Sequence, residues 1–238
     1  MRGNAPKLSV IIPALNEEKY IGHAIEGLRK QTFKDFETLV IDGGSSDGTR
    51  RIASRYARVL TFRKKGAGSA RNFGARRAKG RVLLFLDADT RPSEGLVRTY
   101  IEAMKNGDIA GATGPILPLE KSVPLRIRLG YGFVSKFFVR ATLLIGRPTF
   151  VGSNFAVRRS AFRKVRGFDE RMMTYEDWDL SNRLRREGRM VYLRDAVVHT
   201  STRRVRQWGV IGYFIFYVEN IVRYHLSRPT KSVYKQIR

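Results

Sequence analysis

The chain has 238 residues, and its 46 lysines and arginines outnumber 21 aspartates and glutamates, so the formal net charge is +25. This length is enough for a sizeable hydrophobic core, as one α/β domain or one domain with an elaborated half. The absence of cysteine excludes disulfides and thiolate metal sites, and the positive charge predicts an anionic partner: nucleic acid, an acidic membrane surface or a phosphorylated substrate.

Short apolar strands alternate with helical patterns over the first 110 residues. Strands are predicted at 8–12, 38–42, 59–62 and 82–87, and helices at about 18–30, 49–56 and 69–78. This alternation is typical of a doubly wound, mostly parallel sheet, which predicts the α/β class. The first strand is too short for the core of a signal peptide, so no secretion is expected.

A Gly/Ser loop at 42–49, Asp-Gly-Gly-Ser-Ser-Asp-Gly-Thr, leads into the second predicted helix. Its backbone amides and the helix N-terminus are available to an anion. The later Gly-Ala-Gly at 66–68 lacks the third glycine of a dinucleotide fingerprint and does not follow a strand directly. A Rossmann dinucleotide site is therefore disfavoured.

The run at 82–89, Val-Leu-Leu-Phe-Leu-Asp-Ala-Asp, ends an apolar strand in two carboxylates, Asp87 and Asp89. Such a run fits a strand buried on both faces, and open α/β sheets bind ligands at the carboxyl ends of their strands. Two like charges this close favour a cation beside them, most simply a hard divalent ion that also holds a phosphate. The alternative is a loop that is acidic without a function.

Two segments combine basic residues with aromatic and aliphatic ones. Residues 121–168 contain eleven lysines and arginines and no acid, and residues 196–238 contain Glu219 as their single acid. At helical spacing the first segment has an apolar face opposite a basic one. The apolar face comprises Val134, Phe138, Ala141 and Ile145, and the basic face comprises Lys136 and Arg140.

This pattern is typical of a helix that lies in a membrane interface. Neither apolar run reaches the roughly 18 uncharged residues of a spanning helix, so we expect attachment rather than crossing. The alternative is that both are core helices with solvated basic faces. The basic tail at 227–238 is the predicted flexible end.

Six motifs occur together in an order that identifies a resemblance. They are Leu-Ser-Val-Ile-Ile-Pro-Ala-Leu-Asn-Glu-Glu at 8–18, Val-Ile-Asp-Gly-Gly-Ser-Ser-Asp-Gly-Thr at 40–49, Ser-Ala-Arg-Asn-Phe-Gly at 69–74, Leu-Asp-Ala-Asp at 86–89, Gly-Ser-Asn at 152–154, and Gly-Phe-Asp-Glu at 167–170 followed by Glu-Asp-Trp-Asp-Leu at 176–180. Over about residues 7–200 the chain resembles the family 2 glycosyltransferases of the GT-A fold.

The resemblance implies a Rossmann-like, mostly parallel sheet flanked by helices, in a catalytic domain at 1–200. Its nucleotide-binding half would span about 7–110 and its acceptor and catalytic half about 111–200. Residues 201–238 would form a basic, apolar, membrane-associating helix and tail. The activity implied is inverting transfer of a sugar from a UDP- or GDP-linked donor.

The resemblance also implies a donor site at the carboxyl ends of the N-terminal strands. Pro13 and Leu15 would line the base with Glu17 nearby, Asp42 would bind the base, Arg71 would reach the base or the diphosphate, Asp87 would contact the ribose, and Asp89 with His199 would hold Mn²⁺ or Mg²⁺. The alternatives are a loop-shaping role for Asp42, a purely structural Arg71 and a structural or surface His199.

On the acceptor side, the resemblance implies that Asp177 is the catalytic base and that Glu176 raises its pKa by like-charge proximity. The alternative is a helix N-terminus rich in acids, a role that Asp179 fits better. Gly152 would let the sugar approach the backbone, and Trp178 would offer it a stacking surface or serve in packing.

One departure from the related polyprenyl-phosphate glycosyltransferases concerns the residues after the acid pair. Those enzymes usually carry Asp-Ala-Asp-Leu-Gln, whereas this chain has Asp-Ala-Asp-Thr-Arg-Pro at 87–92. This favours a saccharide or lipid-linked saccharide as acceptor, with a polyprenyl phosphate as the alternative.

We expect a peripheral or monotopic enzyme at the cytoplasmic face of the cell membrane. The alternatives from other classes are a basic nucleic-acid-binding protein, although no nucleic-acid module is recognisable and no nucleic-acid partner is expected, and an inactive GT-A-like scaffold.

Overall fold

The computed structural model describes residues 5–64 and 66–226. The strands are β1 Leu8–Ala14, β2 Phe36–Asp42, β3 Arg58–Thr61, β4 Val82–Leu86, β5 Thr90–Pro92, β6 Ile109–Thr113, β7 Ile116–Pro118, β8 Asn154–Arg158, β9 Arg189–Tyr192 and β10 Val198–Thr200. The helices are α1 Ile21–Arg29, α2 Thr49–Ala53, α3 Ala67–Arg77, α4 Leu96–Met104, α5 Leu125–Gly132, α6 Val139–Leu144, α7 Arg159–Lys164, α8 Glu176–Leu184 and α9 Arg203–His225, and a π-helical segment, Phe133–Phe138, joins α5 to α6.

A seven-stranded sheet in the order β3-β2-β1-β4-β8-β6-β9 forms the centre of the molecule. The four N-terminal strands are parallel, as the strand–helix alternation predicts. Strand β8 lies antiparallel between β4 and β6, so the two predicted halves share one sheet. A smaller sheet in the order β5-β10-β7 stands beside it.

Strand β4 is buried along its whole length, which confirms the expectation from its apolar run. Leu84 packs in the cluster that includes α1 and α4, while Leu83 and Phe85 pack in the cluster on the other side of the sheet. The Phe85 ring lies 5.0 Å from that of Phe155, measured between centroids. Burial of each such side chain contributes about 1.5–3 kcal/mol, so the strand end that carries the acid pair is firmly held.

The segment 125–145 is helical, but its apolar face does not pack in the core. Side chains of the predicted face are exposed, with exposed fractions of 46% for Val134, 40% for Phe138 and 73% for Ile145. The residues that face the domain are instead Ser135 and Val139. The core-helix alternative is therefore wrong for this face.

Helix α9 follows β10 and contains a kink at Gly209, whose φ of 73° interrupts the helix. No helix within residues 5–64 and 66–226 is long and apolar enough to cross a bilayer. The tail at 227–238, predicted to be flexible, lies outside the described residues.

Candidate active site

Three chain segments far apart in sequence meet at the carboxyl end of β4. The antiparallel pairing of β4 with β8 sets Leu86 opposite Asn154, which brings the acid pair beside the glycine that precedes β8. Helix α3 carries Arg71 to the same place, and α8 begins there with Glu176 and Asp177. The motifs predicted to bind the donor and the acceptor therefore meet at one edge of the sheet.

Arg71 connects these segments through its guanidinium group. Its Nη2 lies 2.7 Å from Asp87 Oδ1 and its Nη1 lies 2.8 Å from Glu176 Oε1. Nη2 also donates to the Gly152 carbonyl at 3.2 Å, and the side chain is only 3% exposed. A buried guanidinium is stable only when it is paired, and the two acids provide that pairing.

Asp177 is held by two backbone amides. Gly152 N donates to its Oδ2 at 2.7 Å, and Trp178 N donates to its Oδ1 at 2.8 Å. The residue remains half-buried whereas Glu176 is buried. The helix that carries both starts at Tyr175 in the left-handed region, with φ of 67°, an uncommon conformation for a bulky residue that is frequent at functional sites.

Burial shifts the titration of both neighbouring carboxyl groups. It raises the pKa of Glu176 to about 7, with the charge of Asp177 as the second cause. Burial likewise raises the pKa of Asp177, against the lowering effect of Arg71 and of the two amides. A carboxylate with a raised pKa is a better proton acceptor near neutral pH.

The backbone of Gly152 lies close to the guanidinium of Arg71. A Cβ at this position would lie 2.8 Å from Arg71 Nη2, which is closer than real contacts allow. The amide and the carbonyl of Gly152 are both used, toward Asp177 and Arg71. The approach of an acceptor sugar to Gly152 stays a prediction. Trp178 is half-buried and its ring lies 5.1 Å from that of Tyr175.

Asp89, two residues after Asp87, contacts the start of α9. Arg203 Nη2 lies 3.1 Å from Asp89 Oδ2 and 2.6 Å from Glu17 Oε1. The Thr200 hydroxyl donates to Asp89 Oδ1 at 3.4 Å. Burial and, secondarily, the charge of Asp87 raise the pKa of Asp89.

The loops after β1 and β2 form the neighbouring part of the rim. Pro13 and Leu15 are half-buried at the end of β1, where Pro13 is in register with Ile41. The backbone amide of Glu17 donates to Thr49 Oγ1 at 2.7 Å, which ties the two loops together. These residues occupy the rim that the donor prediction requires.

The Asp42 carboxylate is completely buried and already bonded. It accepts hydrogen bonds from the amides of Gly44 and Ser45, each at 3.2 Å, and from Arg50 Nη1 at 3.3 Å. These contacts support the loop-shaping alternative, because an Asp that bonds the amides two and three residues ahead stabilises a turn. Base binding by Asp42 stays a prediction.

His199 lies at the centre of β10, paired in register with Arg91 of β5. Burial, with Arg91 as the second cause, lowers its pKa, which favours the neutral imidazole. Its neighbour Thr200 is the residue whose side chain contacts Asp89, and successive strand residues point to opposite faces. Within the described part of the chain, no three His, Cys, Asp or Glu side chains group as a metal site. Metal binding by His199 stays a prediction.

Asp89 nevertheless fits a shared metal site. Mg²⁺ is usually held by one or two carboxylates together with substrate phosphates and water, rather than by a full cage of protein ligands. Glu17 Oε2, on the residue that shares Arg203 with Asp89, is buried without a hydrogen-bond partner. An acceptor oxygen left in this state indicates room for a cation or a donor group of a ligand.

Sequence reasoning missed Arg203 and Glu120. Glu120 accepts from the Ser201 hydroxyl at 2.8 Å and from the Thr202 amide at 3.0 Å, which fixes the start of α9. The Ser and Thr before a helix are a recognisable capping signal. Arg203 carries no such signal, since it is one of 46 basic residues.

Two family patterns match this chain. That of Glycosyl transferase family 2 matches residues 9–166, and that of the N-terminal domain of galactosyltransferase matches residues 137–205. The probable glycosyltransferase YdaM of Bacillus subtilis (strain 168) is 30% identical over 203 residues, which cover 75% of this chain and 46% of that protein. An uncharacterized glycosyltransferase of Rickettsia typhi (strain Wilmington) is 29% identical over 183 residues, which cover 74% of this chain and 58% of that protein. The chain thus spans about half the length of these two relatives.

Solved structures of the same architecture are also found. TarS of S. aureus in complex with UDP-GlcNAc superposes with a TM-score of 0.69 at 20% identity, over 95% of this chain and 68% of that one. The mannosyltransferase PcManGT of Pyrobaculum calidifontis, in complex with GDP-Man and Mn²⁺, gives a TM-score of 0.63 at 19% identity, over 91% of this chain and 65% of that one. These similarities confirm the predicted GT-A fold. Because the family pattern covers more than half of its residues, the chain belongs to glycosyl transferase family 2.

Proposed function

We propose that this protein transfers a sugar from a UDP- or GDP-linked donor to a hydroxyl group, with inversion and with a divalent cation, at a membrane surface. The observation that carries the proposal is the half-buried Asp177, oriented by the amides of Gly152 and Trp178 beside the Arg71–Asp87 pair. The nucleotide sugars bound in the TarS and PcManGT structures support the donor class.

In the proposed reaction, Asp177 removes the proton from the acceptor hydroxyl. The acceptor oxygen forms a bond to the anomeric carbon on the face opposite the diphosphate, and the bond from that carbon to the diphosphate oxygen breaks. The diphosphate leaves with the electron pair, so the anomeric configuration inverts. A single carboxylate suffices for this step, and its raised pKa suits it to accept a proton near neutral pH.

The other acids and Arg71 prepare the site. Arg71 lies between Asp87 and Glu176 and pairs with both, which reduces the repulsion among the acids of the site. Asp87 would contact the ribose, and Asp89 would hold the Mn²⁺ or Mg²⁺ that neutralises charge on the departing diphosphate when it is bound. The acceptor that we propose is a saccharide or a lipid-linked saccharide, with a polyprenyl phosphate as the alternative.

Asp177→Asn tests the base. The amide keeps the size of the side chain but cannot accept the proton, so we expect kcat to fall by about 10²-fold or more while donor affinity changes little. Turnover of UDP- and GDP-sugars and calorimetric donor binding measure the two quantities. Asp179→Asn is the matched control, because Asp179 lies on the same helix and pairs with Arg183. A near wild-type rate for Asp177→Asn would move the base to another residue.

A thermal-shift panel of nucleotide sugars, with and without Mn²⁺, tests donor and metal together, because a ligand that binds the folded state raises Tm. We expect a Mn²⁺-dependent shift with a uridine or guanosine donor, and Asp89→Ala should abolish the metal dependence while leaving the unliganded fold intact. An inactive scaffold would show no shift with any donor.

The membrane part of the proposal rests on an apolar ridge along α5, the π-helical segment and α6. We define the ridge as six side chains that are each at least 60% exposed: Leu125, Leu129, Phe133, Phe137, Leu144 and Ile145. Large contiguous apolar surfaces are rare on soluble proteins and mark contacts with proteins or membranes.

The surroundings of the ridge favour a bilayer with anionic lipids. The exposed bases Arg126, Arg128, Lys136, Arg140 and Arg147 accompany it, and residues 121–168 contain no acid. Each base near an anionic lipid surface contributes about 1 kcal/mol at most, and the apolar side chains add burial in the acyl boundary. A surface that is both basic and apolar fits an anionic lipid interface better than it fits a protein groove, and better than it fits nucleic acid.

Vesicle co-sedimentation tests this location. We expect binding to vesicles with anionic lipid, release as salt screens the charge, and loss of binding in the triple variant Lys136→Glu, Arg140→Glu and Arg147→Glu. The matched control reverses three exposed bases of the N-terminal half: Arg55, Arg58 and Arg81.

Phe137→Ser should weaken vesicle binding without a change of charge. Equal sedimentation with neutral and anionic vesicles, sedimentation with neither, or an equal loss in both triple variants would contradict the interface. Tight DNA binding at physiological salt without vesicle binding would favour the nucleic-acid alternative.

A further inference from the structure

Arg203 contacts Asp89, the carboxylate that we propose holds the metal ion. Its Nη2 lies 3.1 Å from Asp89 Oδ2 and 2.6 Å from Glu17 Oε1, and the side chain is 11% exposed. The guanidinium carbon lies 4.4 Å from the centroid of the Tyr20 ring, which packs against it. Arg203 Nε is buried without a hydrogen-bond partner, so the guanidinium has donor capacity that this arrangement does not use.

A divalent ion bound to the Asp89 carboxylate would lie next to this guanidinium. Mg²⁺ lies about 2.0–2.1 Å from its oxygen ligands, and Arg203 Nη2 already lies within hydrogen-bond distance of Asp89 Oδ2. Two cations on one carboxylate repel each other where water is largely excluded. The guanidinium in its present position therefore opposes binding of the ion, and movement of Arg203 away from Asp89 would relieve the repulsion.

We propose that Arg203 competes with the divalent cation for Asp89, so that the metal alone binds weakly and binds tightly only together with the donor diphosphate. The diphosphate brings the negative charge that offsets the ion and the displaced guanidinium. This inference rests on the proposed metal-dependent function. It assigns to Arg203 a positioning role that couples metal binding to nucleotide binding.

The surrounding contacts allow the exchange without refolding. The backbone before Arg203 is fixed by the bonds from Ser201 and Thr202 to Glu120, so the side chain alone needs to move. Glu17 Oε1, which lies 2.6 Å from the same nitrogen, is a second partner for the guanidinium when it moves away from Asp89. The arginine therefore stays paired in both states, which keeps the cost of exchange low.

A purely structural role is the competing explanation, in which Arg203 only ties α9 to the loop after β1. The two explanations differ in the sign of one measurement. A structural tie predicts that loss of Arg203 leaves the affinity for Mn²⁺ unchanged or lowers it. Competition predicts that the same loss raises it.

Calorimetric titration of the full chain with Mn²⁺, with and without UDP and GDP, provides this measurement. We expect Arg203→Gln to bind Mn²⁺ alone about tenfold more tightly than the wild type, and the tightening of Mn²⁺ by a nucleotide diphosphate to shrink by a similar factor. Arg203→Lys keeps the charge and should stay close to the wild type. Arg203→Met retains an unbranched stem against Tyr20 and gives the same readout if the glutamine variant fails to fold.

Arg206→Gln is the matched control, because it removes one positive charge from the same helix. Arg206 is exposed and donates to the Ser122 carbonyl at 2.6 Å. Unchanged or weaker Mn²⁺ binding in both Arg203→Gln and Arg203→Met, or equal tightening in Arg206→Gln, would overturn the inference. A wild type that binds no Mn²⁺ even with nucleotide would instead contradict the proposed metal dependence.

Discussion

At the scale of single residues, Arg71 is the centre of the candidate site. One buried guanidinium contacts Asp87 after β4, Glu176 at the start of α8 and the Gly152 carbonyl before β8. Charge-assisted hydrogen bonds of this kind are about twice as strong as neutral ones, and they fix the relative positions of the groups they join. These contacts fit the purely structural alternative, and contact of Arg71 with the base or the diphosphate stays a prediction.

The pH dependence of kcat/KM tests the carboxyl pair. A base acts only when it is deprotonated, and burial raises the pKa of Asp177 above 3.8 and that of Glu176 to about 7. We therefore expect the rate to fall as the pH drops, with the acid limb above the ordinary aspartate pKa.

Glu176→Gln removes the neighbouring negative charge, so the acid limb of the profile should move to lower pH. Profiles of kcat/KM against pH at saturating Mn²⁺ compare the wild type with Glu176→Gln. The control Asp179→Asn should leave the acid limb in place. An acid limb at the ordinary aspartate pKa in the wild type would contradict the assignment.

At the scale of elements, α3 connects the donor side to the turn before α8. Asn72 follows Arg71 on this helix, and its Nδ2 donates to the Phe168 carbonyl at 2.9 Å. The Phe168 amide donates back to Asn72 Oδ1 at 2.9 Å. Helix α3 thus contacts the acids of the site through Arg71 and fixes the turn before α8 through Asn72.

Asn72→Ala tests this support. The change leaves the amide and carbonyl of Phe168 without partners in a buried place, so we expect the free energy of unfolding to fall by about 2–3 kcal/mol. We also expect kcat to fall, because the turn leads into the helix of Asp177. Urea unfolding and turnover measure the two effects. Asn106→Ala is the control, since Asn106 is exposed and its side chain accepts a hydrogen bond from the nearby Asp108 amide in a local turn. Equal losses in both variants would contradict the support role.

The segment 125–145 shows where periodicity alone is insufficient. A face drawn at 3.6 residues per turn assumes an uninterrupted α-helix, but residues 133–138 are π-helical, which shifts the register of the side chains that follow. The composition still predicted the important property, an apolar face beside basic residues. Which of those residues face the domain depends on the π-helical segment.

At the scale of the whole molecule, the dominant electrostatic property is the net charge of +25. Like charges repel in the compact state, and salt screens them over about 10 Å at 0.1 M. We expect Tm to rise between about 50 and about 500 mM NaCl, and sodium fluoride to act alike. The triple variant Arg55→Glu, Arg58→Glu and Arg81→Glu should show a smaller rise, whereas a fall of Tm with salt would indicate that attractive ion pairs dominate.

The sequence by itself determined the N-terminal strand and helix order, the acids at the end of β4 and the family motifs. These follow from local causes, since apolar runs, turn residues and acids after a strand act within a few residues of each other. The β-strand 8–14 and the helix 67–77 accordingly lie within three residues of their predicted bounds.

Only the tertiary structure decided which groups meet. Arg203 and Glu17 are 186 residues apart in sequence, and Arg71 and Glu176 are 105 apart. No local pattern distinguishes Arg203 among 46 basic residues, and the motif that singles out Arg71 does not name its acidic partners. The close contact of Gly152 with the guanidinium is likewise visible only in the folded chain. Such contacts are set by how the sheet and helices pack, because packing rather than spacing along the chain brings distant charges into one low-dielectric cleft.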